Sequence, residues 1–132
     1  MEKQWPSHHK LLARMLKIGP YLRKERCKEH HYFFDCLAAC TDANPPADER
    51  EFYGWWFEVE QVTEGTLNYS YRFGLHSVDG LWTEQDIPDE HHEQVKSSLL
   101  DFYPKLHALL SDFDLKLEPS STIQPQQILP AA

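Results

Sequence analysis

The segment that most constrains the fold runs from Arg50 to Glu60, Arg-Glu-Phe-Tyr-Gly-Trp-Trp-Phe-Glu-Val-Glu, and it holds two of the chain's four tryptophans. Phe52, Tyr53, Trp55, Trp56, Phe57 and Val59 are aromatic or β-branched, which suits a pleated, half-buried surface. Pro45-Pro46 before it and Glu64-Gly65 after it mark where such a strand can begin and end. Side chains alternate across a strand, so Tyr53, Trp55, Phe57 and Val59 share one face, and Phe52, Gly54, Trp56, Glu58 and Glu60 share the other. Aromatics therefore stand on both faces near Gly54. One face suffices for a core, and the surplus on the second calls for another layer or a partner.

The neighbouring segments supply the rest of a sheet. Thr66 to His76 is the cleanest alternation in the chain, with Leu67, Tyr69, Tyr71, Phe73 and Leu75 on one face and Asn68, Ser70, Arg72, Gly74 and His76 on the other. The turn residues Val78-Asp79-Gly80 lead into a short strand at Leu81-Trp82-Thr83. His31 to Cys40 is almost continuously apolar and reads as a strand buried on both faces. Asp35 is its odd residue: it needs a hydrogen-bonding partner or it marks a wet face, because an unpaired buried carboxylate is strongly disfavoured.

Two helices complete the pattern. Ser7 can cap a short one carrying Leu11, Leu12, Met15, Leu16 and Ile18, with Gly19-Pro20 as the stop. A long one opens at Asp86 or Pro88; its stripe Val95, Leu99, Phe102, Leu106, Leu109 and Phe113 alternates steps of four and three, and Pro104 is expected to kink it without breaking it. The expectation is an α+β domain over residues 1–118, a four-stranded antiparallel meander packed with a short N-terminal and a long C-terminal helix. Residues 119–132 have no period and little to bury, and read as a flexible tail.

At 132 residues, 41% hydrophobic and 26% charged, the chain suits one domain. It lacks an apolar run long enough to span a membrane and a secretory h-region at its start, so a cytoplasmic location is expected. Charge is uneven: residues 1–28 hold eight basic side chains against Glu2 and Glu25, a local +6, while the remaining 104 residues sum to −14. Such an acidic body repels phosphates, which disfavours nucleic-acid binding by the chain as a whole, whereas the basic first segment suits DNA or an acidic protein surface.

Catalytic motifs are missing: the chain has no nucleophile elbow, Walker loop, dinucleotide fingerprint or His-Glu-x-x-His. Glu58 and Glu60 form a same-face carboxylate pair beside Trp56, better read as a solvent-facing strand than as an acid-base pair. Cys27-x2-His30 with Cys36-x3-Cys40 resembles zinc spacing loosely, but two residues four apart on a strand lie about 13 Å from each other, too far to share an ion. Reduced thiols, surface histidines, no metal and no cofactor are the expectation. The remaining signal is an aromatic surplus, Tyr21, Phe52, Trp55, Trp56 and Trp82, with Arg50 and Arg72 beside it, the residue types that dominate binding hot spots.

Lys-Ile-Gly-Pro-Tyr at 17–21, Phe-Phe-Asp-Cys-Leu-Ala at 33–38, Arg-Glu-Phe-Tyr-Gly-Trp-Trp at 50–56, Tyr-Arg-Phe-Gly-Leu at 71–75 and Leu-Lys-Leu-Glu-Pro at 115–119 resemble the Crl family of bacterial sigma-factor-binding proteins. The resemblance covers roughly residues 10–119. It implies a non-enzymatic activator that binds the second domain of the stationary-phase sigma factor, sigma-S, and promotes its assembly with core RNA polymerase, without sequence-specific DNA contact. It also implies sigma contacts at Tyr21, Arg50, Phe52, Trp55 and Trp82, with Glu51 in the same motif. A monomer is expected, and Arg50→Ala or Trp55→Ala should weaken binding with little loss of stability. Phe52 and Trp55 have opposite parity, so placing both on one surface requires either a strand that starts after Phe52 or a bulge near Gly54. The competing reading is a small-ligand or metal-responsive regulatory module.

Overall fold

The computed structural model describes residues 7–42 and 44–129. Its elements in chain order are α1 (His8–Lys17), β1 (His31–Cys40), β2 (Phe52–Thr63), β3 (Thr66–His76), β4 (Trp82–Glu84), α2 (Asp89–Asp112) and β5 (Lys116–Pro119), with three short 3-10 turns between them. Strands β1 to β4 form the expected antiparallel meander in the order β1-β2-β3-β4. Neighbouring strands pair directly: Trp56 stands between Asp35 and Arg72, and Phe57 between Phe34 and Tyr71.

Both helices pack on the same face of this sheet. Ser7 caps α1 through a bond from the Lys10 N–H, and Leu11, Leu12 and Met15 turn into the core. Arg14 near the end of α1 ties to Asp112 at the end of α2 at 2.8 Å. The expected stripe of α2 is the core-facing one: Val95, Leu99, Phe102, Leu106 and Leu109 are buried, joined by Tyr103 and Leu110. Pro104 sits inside α2, which runs through it without a break. Opposite the helix stand Tyr32, Phe34, Trp55, Phe57, Val59, Leu67, Tyr69 and Tyr71, all buried. Phe102 is the centre of this packing, within about 5 Å of the rings of Tyr21, Phe34, Trp55 and Phe57.

The end of the chain differs from the expected tail. Helix α2 closes in a reversal in which the Leu115 N–H bonds the Leu110 carbonyl and the Asp114 N–H bonds the Ser111 carbonyl, with Asp114 in the left-handed region at φ 59°. This turns the chain back along the sheet as β5, which pairs in parallel with residues Thr66–Tyr69 of β3. Strand β3 thus shares its outer edge between β4 at one end and β5 at the other. Beyond β5 the Ser120 N–H bonds the Tyr69 carbonyl, the Tyr71 hydroxyl donates to the Gln127 carbonyl at 2.7 Å, and the Tyr69 hydroxyl accepts the Leu129 N–H at 2.8 Å. Ile123 and Leu129 pack against the core. Residues 119–129 are therefore docked; residues 130–132 of the expected tail lie outside the described residues. Two tyrosine hydroxyls supply the anchor, which hydrophobic pattern alone does not reveal.

Among the described residues no helix is long and apolar enough to cross a membrane.

Candidate functional site

With both helices on one face, the opposite face of the sheet has no helix over it among the described residues. It carries Phe33, Asp35 and Leu37 from β1, Phe52, Trp56 and Glu58 from β2, Arg72 and His76 from β3, and Trp82 from β4, as the register dictates. Trp56 and Trp82 lie 5.0 Å apart between ring centroids, and His76 meets Trp82 edge-on at 5.1 Å. Phe52, His76 and Trp82 are direct cross-strand partners and form one row. Phe33 is covered by the guanidinium of Arg26, 3.7 Å above its ring. Asp35 accepts from Arg23 and from the Trp82 indole. The carboxylate that looked anomalous in the sequence is partnered on both oxygens.

One end of this face is gathered by Arg50-Glu51. The Arg50 Nε donates to the Pro45 carbonyl at 2.9 Å, and the Glu51 carbonyl accepts the Thr41 N–H at 3.0 Å, so Thr41 and Pro45 are held against the start of β2. The Glu51 carboxylate faces the Val78 N–H in the β3–β4 turn. That turn exposes Val78 and Leu81, the latter 66% accessible, beside Trp82. Apolar side chains exposed next to paired indoles and an arginine make a surface suited to another protein.

The expected site residues separate into two groups. Arg50, Glu51, Phe52 and Trp82 come together on this face and its rim. Trp55 does not: it is fully buried under α2, where its indole donates to the Ser98 hydroxyl at 2.8 Å. Tyr21 belongs with Trp55, stacked on it at 5.8 Å and edge-on to Phe102 at 4.9 Å. Neither device proposed to unite Phe52 with Trp55 is present. Strand β2 begins at Phe52, and the irregularity near Gly54 lies in β1, between Leu37 and Ala39. The two residues stay on opposite faces, so the expectation that Trp55→Ala spares stability is corrected: Trp55 is core. Trp56, not Trp55, is the member of the pair on the outer face. Parity alone carries that signal.

The three cysteines occupy separate settings. Cys27 receives the Phe33 N–H and approaches the Arg23 carbonyl, Cys40 donates to the Asp42 carbonyl, and Cys36 pairs across the ladder with Trp55. Burial pushes the Cys27 and Cys36 thiols and the Tyr21 hydroxyl up, which keeps all three protonated and poorly nucleophilic at neutral pH. An open groove of about 1130 Å³ lies elsewhere, between β3, the first half of α2 and the docked C-terminal segment, lined by Tyr71, Val95, Leu99, Gln127 and Leu129 among others.

A small α+β domain with an open, aromatic sheet face rimmed by charge has the surface character of a protein-binding module. The chain belongs to the family described as sigma factor-binding transcriptional regulator Crl, whose pattern it matches over residues 1–127. It is 40% identical over 121 residues to the sigma factor-binding protein Crl of Photobacterium profundum, covering 91% of this chain and 90% of that one. It is likewise similar to the sigma factor-binding proteins Crl of Vibrio vulnificus strain YJ016, 40% identical over 107 residues with 81% and 82% covered, and of Vibrio cholerae strain O395, 34% identical over 121 residues with 91% and 93% covered.

Proposed function

We propose that this chain binds the stationary-phase sigma factor, sigma-S, through the sigma factor's second domain and promotes its assembly with core RNA polymerase. It acts as a monomer in the cytoplasm, performs no chemistry on its partner and reads no DNA sequence. The observation that carries this reading is the helix-free sheet face, where Phe52, Trp56 and Trp82 adjoin the exposed Val78 and Leu81 and the Arg50-Glu51 rim. In this reading Phe52 and Trp82 give the apolar contact, Arg50 pairs with a carboxylate of sigma, and Glu51 orders the rim. Tyr21 and Trp55 support the face from the core side.

Activation then follows from linkage. A protein that binds sigma in its polymerase-competent conformation raises the affinity of sigma for core enzyme by no more than its own preference between the two sigma conformations. The gain is largest when sigma is scarce. The test is transcription with purified sigma-S, core enzyme and this chain at limiting sigma. Stimulation that disappears at saturating sigma supports assembly; stimulation unchanged at saturation points to a step after assembly and overturns it.

A further inference from the structure

Asp35 is buried, its side chain 5% accessible, in the middle of β1 on the face away from the helices. One oxygen accepts from Arg23 Nε, and the other accepts the Trp82 indole N–H at 3.0 Å. Arg23 is itself fixed, because its N–H bonds the Phe33 carbonyl and the Asp35 N–H bonds the Tyr21 carbonyl, which zips residues 21–23 onto the free edge of β1.

The span of the second bond is unusual for a side chain. Asp35 is on β1 and Trp82 on β4, the first and last strands of the meander, so the bond ties its two ends together. The far edge of the indole lies against Gly54 of β2, which has no side chain to stand in its way. A Cβ placed on Gly54 would stand 3.1 Å from Cη2, the far edge of that indole. Strand β4 by contrast is only three residues long, paired to Gly74, Leu75 and His76. Backbone pairing of that extent is a weak restraint on a large side chain at the sheet edge.

A buried ion pair adds little stability compared with apolar packing of the same volume, because desolvation offsets the attraction. What it supplies here is direction: a donor-only indole N–H and a carboxylate make a charge-assisted bond with one geometry. We propose that Asp35 is a positioning residue for sigma-factor binding: held by Arg23, it pins Trp82 over Gly54 beside Trp56, in the orientation that the partner meets. This inference rests on the proposed reading of the Trp82 face as the sigma contact.

The test is a double-mutant cycle of Asp35→Ala and Trp82→Phe, with Asp35→Asn as the conservative variant, read by calorimetry against purified sigma-S and by near-ultraviolet circular dichroism of the free proteins. Positioning predicts that each of Asp35→Ala and Trp82→Phe weakens binding roughly tenfold and that the double variant is no worse than either single one, since both act through one bond. It also predicts that Asp35→Ala, with Trp82 still present, loses the coupled indole signal of Trp56 and Trp82, and that Asp35→Asn, which keeps an acceptor, recovers part of both. Should Asp35→Ala fail to fold, Asp35→Asn and Trp82→Phe complete the comparison, and equal affinity to wild type in both overturns the proposal. Additive losses in the double variant, or an Asp35→Ala protein with lowered stability but unchanged affinity and indole signal, also overturn it. A wild-type chain that does not bind sigma-S at all overturns instead the functional reading on which it stands.

Discussion

The Trp55 indole has an accessibility of 0%, rests against Phe102 at 4.9 Å and donates to Ser98. Truncating such a side chain removes a large buried area and the bond to Ser98, whose hydroxyl keeps its own bond to the Val95 carbonyl. Trp55→Ala should therefore cost about 3–5 kcal/mol in a denaturant melt, and an unchanged midpoint would show that the residue is not core. Gly54 next to it is required for a different reason. A Cβ there would sit 1.9 Å from the Cys36 carbonyl oxygen of the paired strand, with Trp82 close on the other side. Gly54→Ala should lower stability by roughly 1–3 kcal/mol and disturb the indole signal of the outer face; a variant as stable as wild type would contradict that contact. The Gly-Trp-Trp run thus places a close-approach residue, a core anchor and a surface aromatic in succession. The sequence makes the alternation legible. Carrying Trp55 to the surface by resemblance runs against that alternation, and burial decides for the alternation.

At the scale of elements, the segments with a clear period were readable and those held by single polar contacts were not. Strands β2 and β3 and the stripe of α2 follow from alternation and from steps of three and four. Strand β5 is four residues long and pairs in parallel, too short for any period to show. It exists because the helix end reverses at Asp114, and because Tyr69 and Tyr71 offer bonds to the segment that follows. Asp114 is a poor choice for its position, a carboxylate at a helix C-terminus in a left-handed conformation that glycine adopts without strain. Asp114→Gly should stabilise the protein by about 1 kcal/mol, a few degrees in Tm; a loss of stability would mean the reversal depends on the side chain. Truncation after Pro119 removes the acceptor of the Tyr71 hydroxyl and the donor to Tyr69. It should lower the unfolding midpoint measurably, and an unchanged midpoint would show the docked segment to be energetically idle.

For the molecule as a whole, burial pushes Tyr32, Tyr71 and Tyr103 up to about 12 from an ordinary value of 10.0. The unfolded chain ionises these phenols near pH 10 while the folded chain keeps its protons, so their contribution is complete below pH 10 and is lost as pH rises toward 12. Each should remove about 1.4 kcal/mol per pH unit over that window. Phenolate absorbance and circular dichroism followed together should show three late-titrating tyrosines whose ionisation coincides with unfolding; titration near pH 10 in a folded protein would contradict it.

The same burial pattern that encloses these tyrosines between the sheet and the helices leaves the other side of the sheet to Phe52, Trp56 and Trp82, and the account rests on that side being the sigma contact. Calorimetric titration of the purified chain into purified sigma-S tests this most directly. The account predicts saturable one-to-one binding that Arg50→Ala weakens roughly tenfold or more, with no more than the small drop in melting temperature that loss of its bond to the Pro45 carbonyl brings. Binding of equal strength in the Arg50→Ala and Trp82→Ala variants, or no saturable heat with the intact chain, would contradict it.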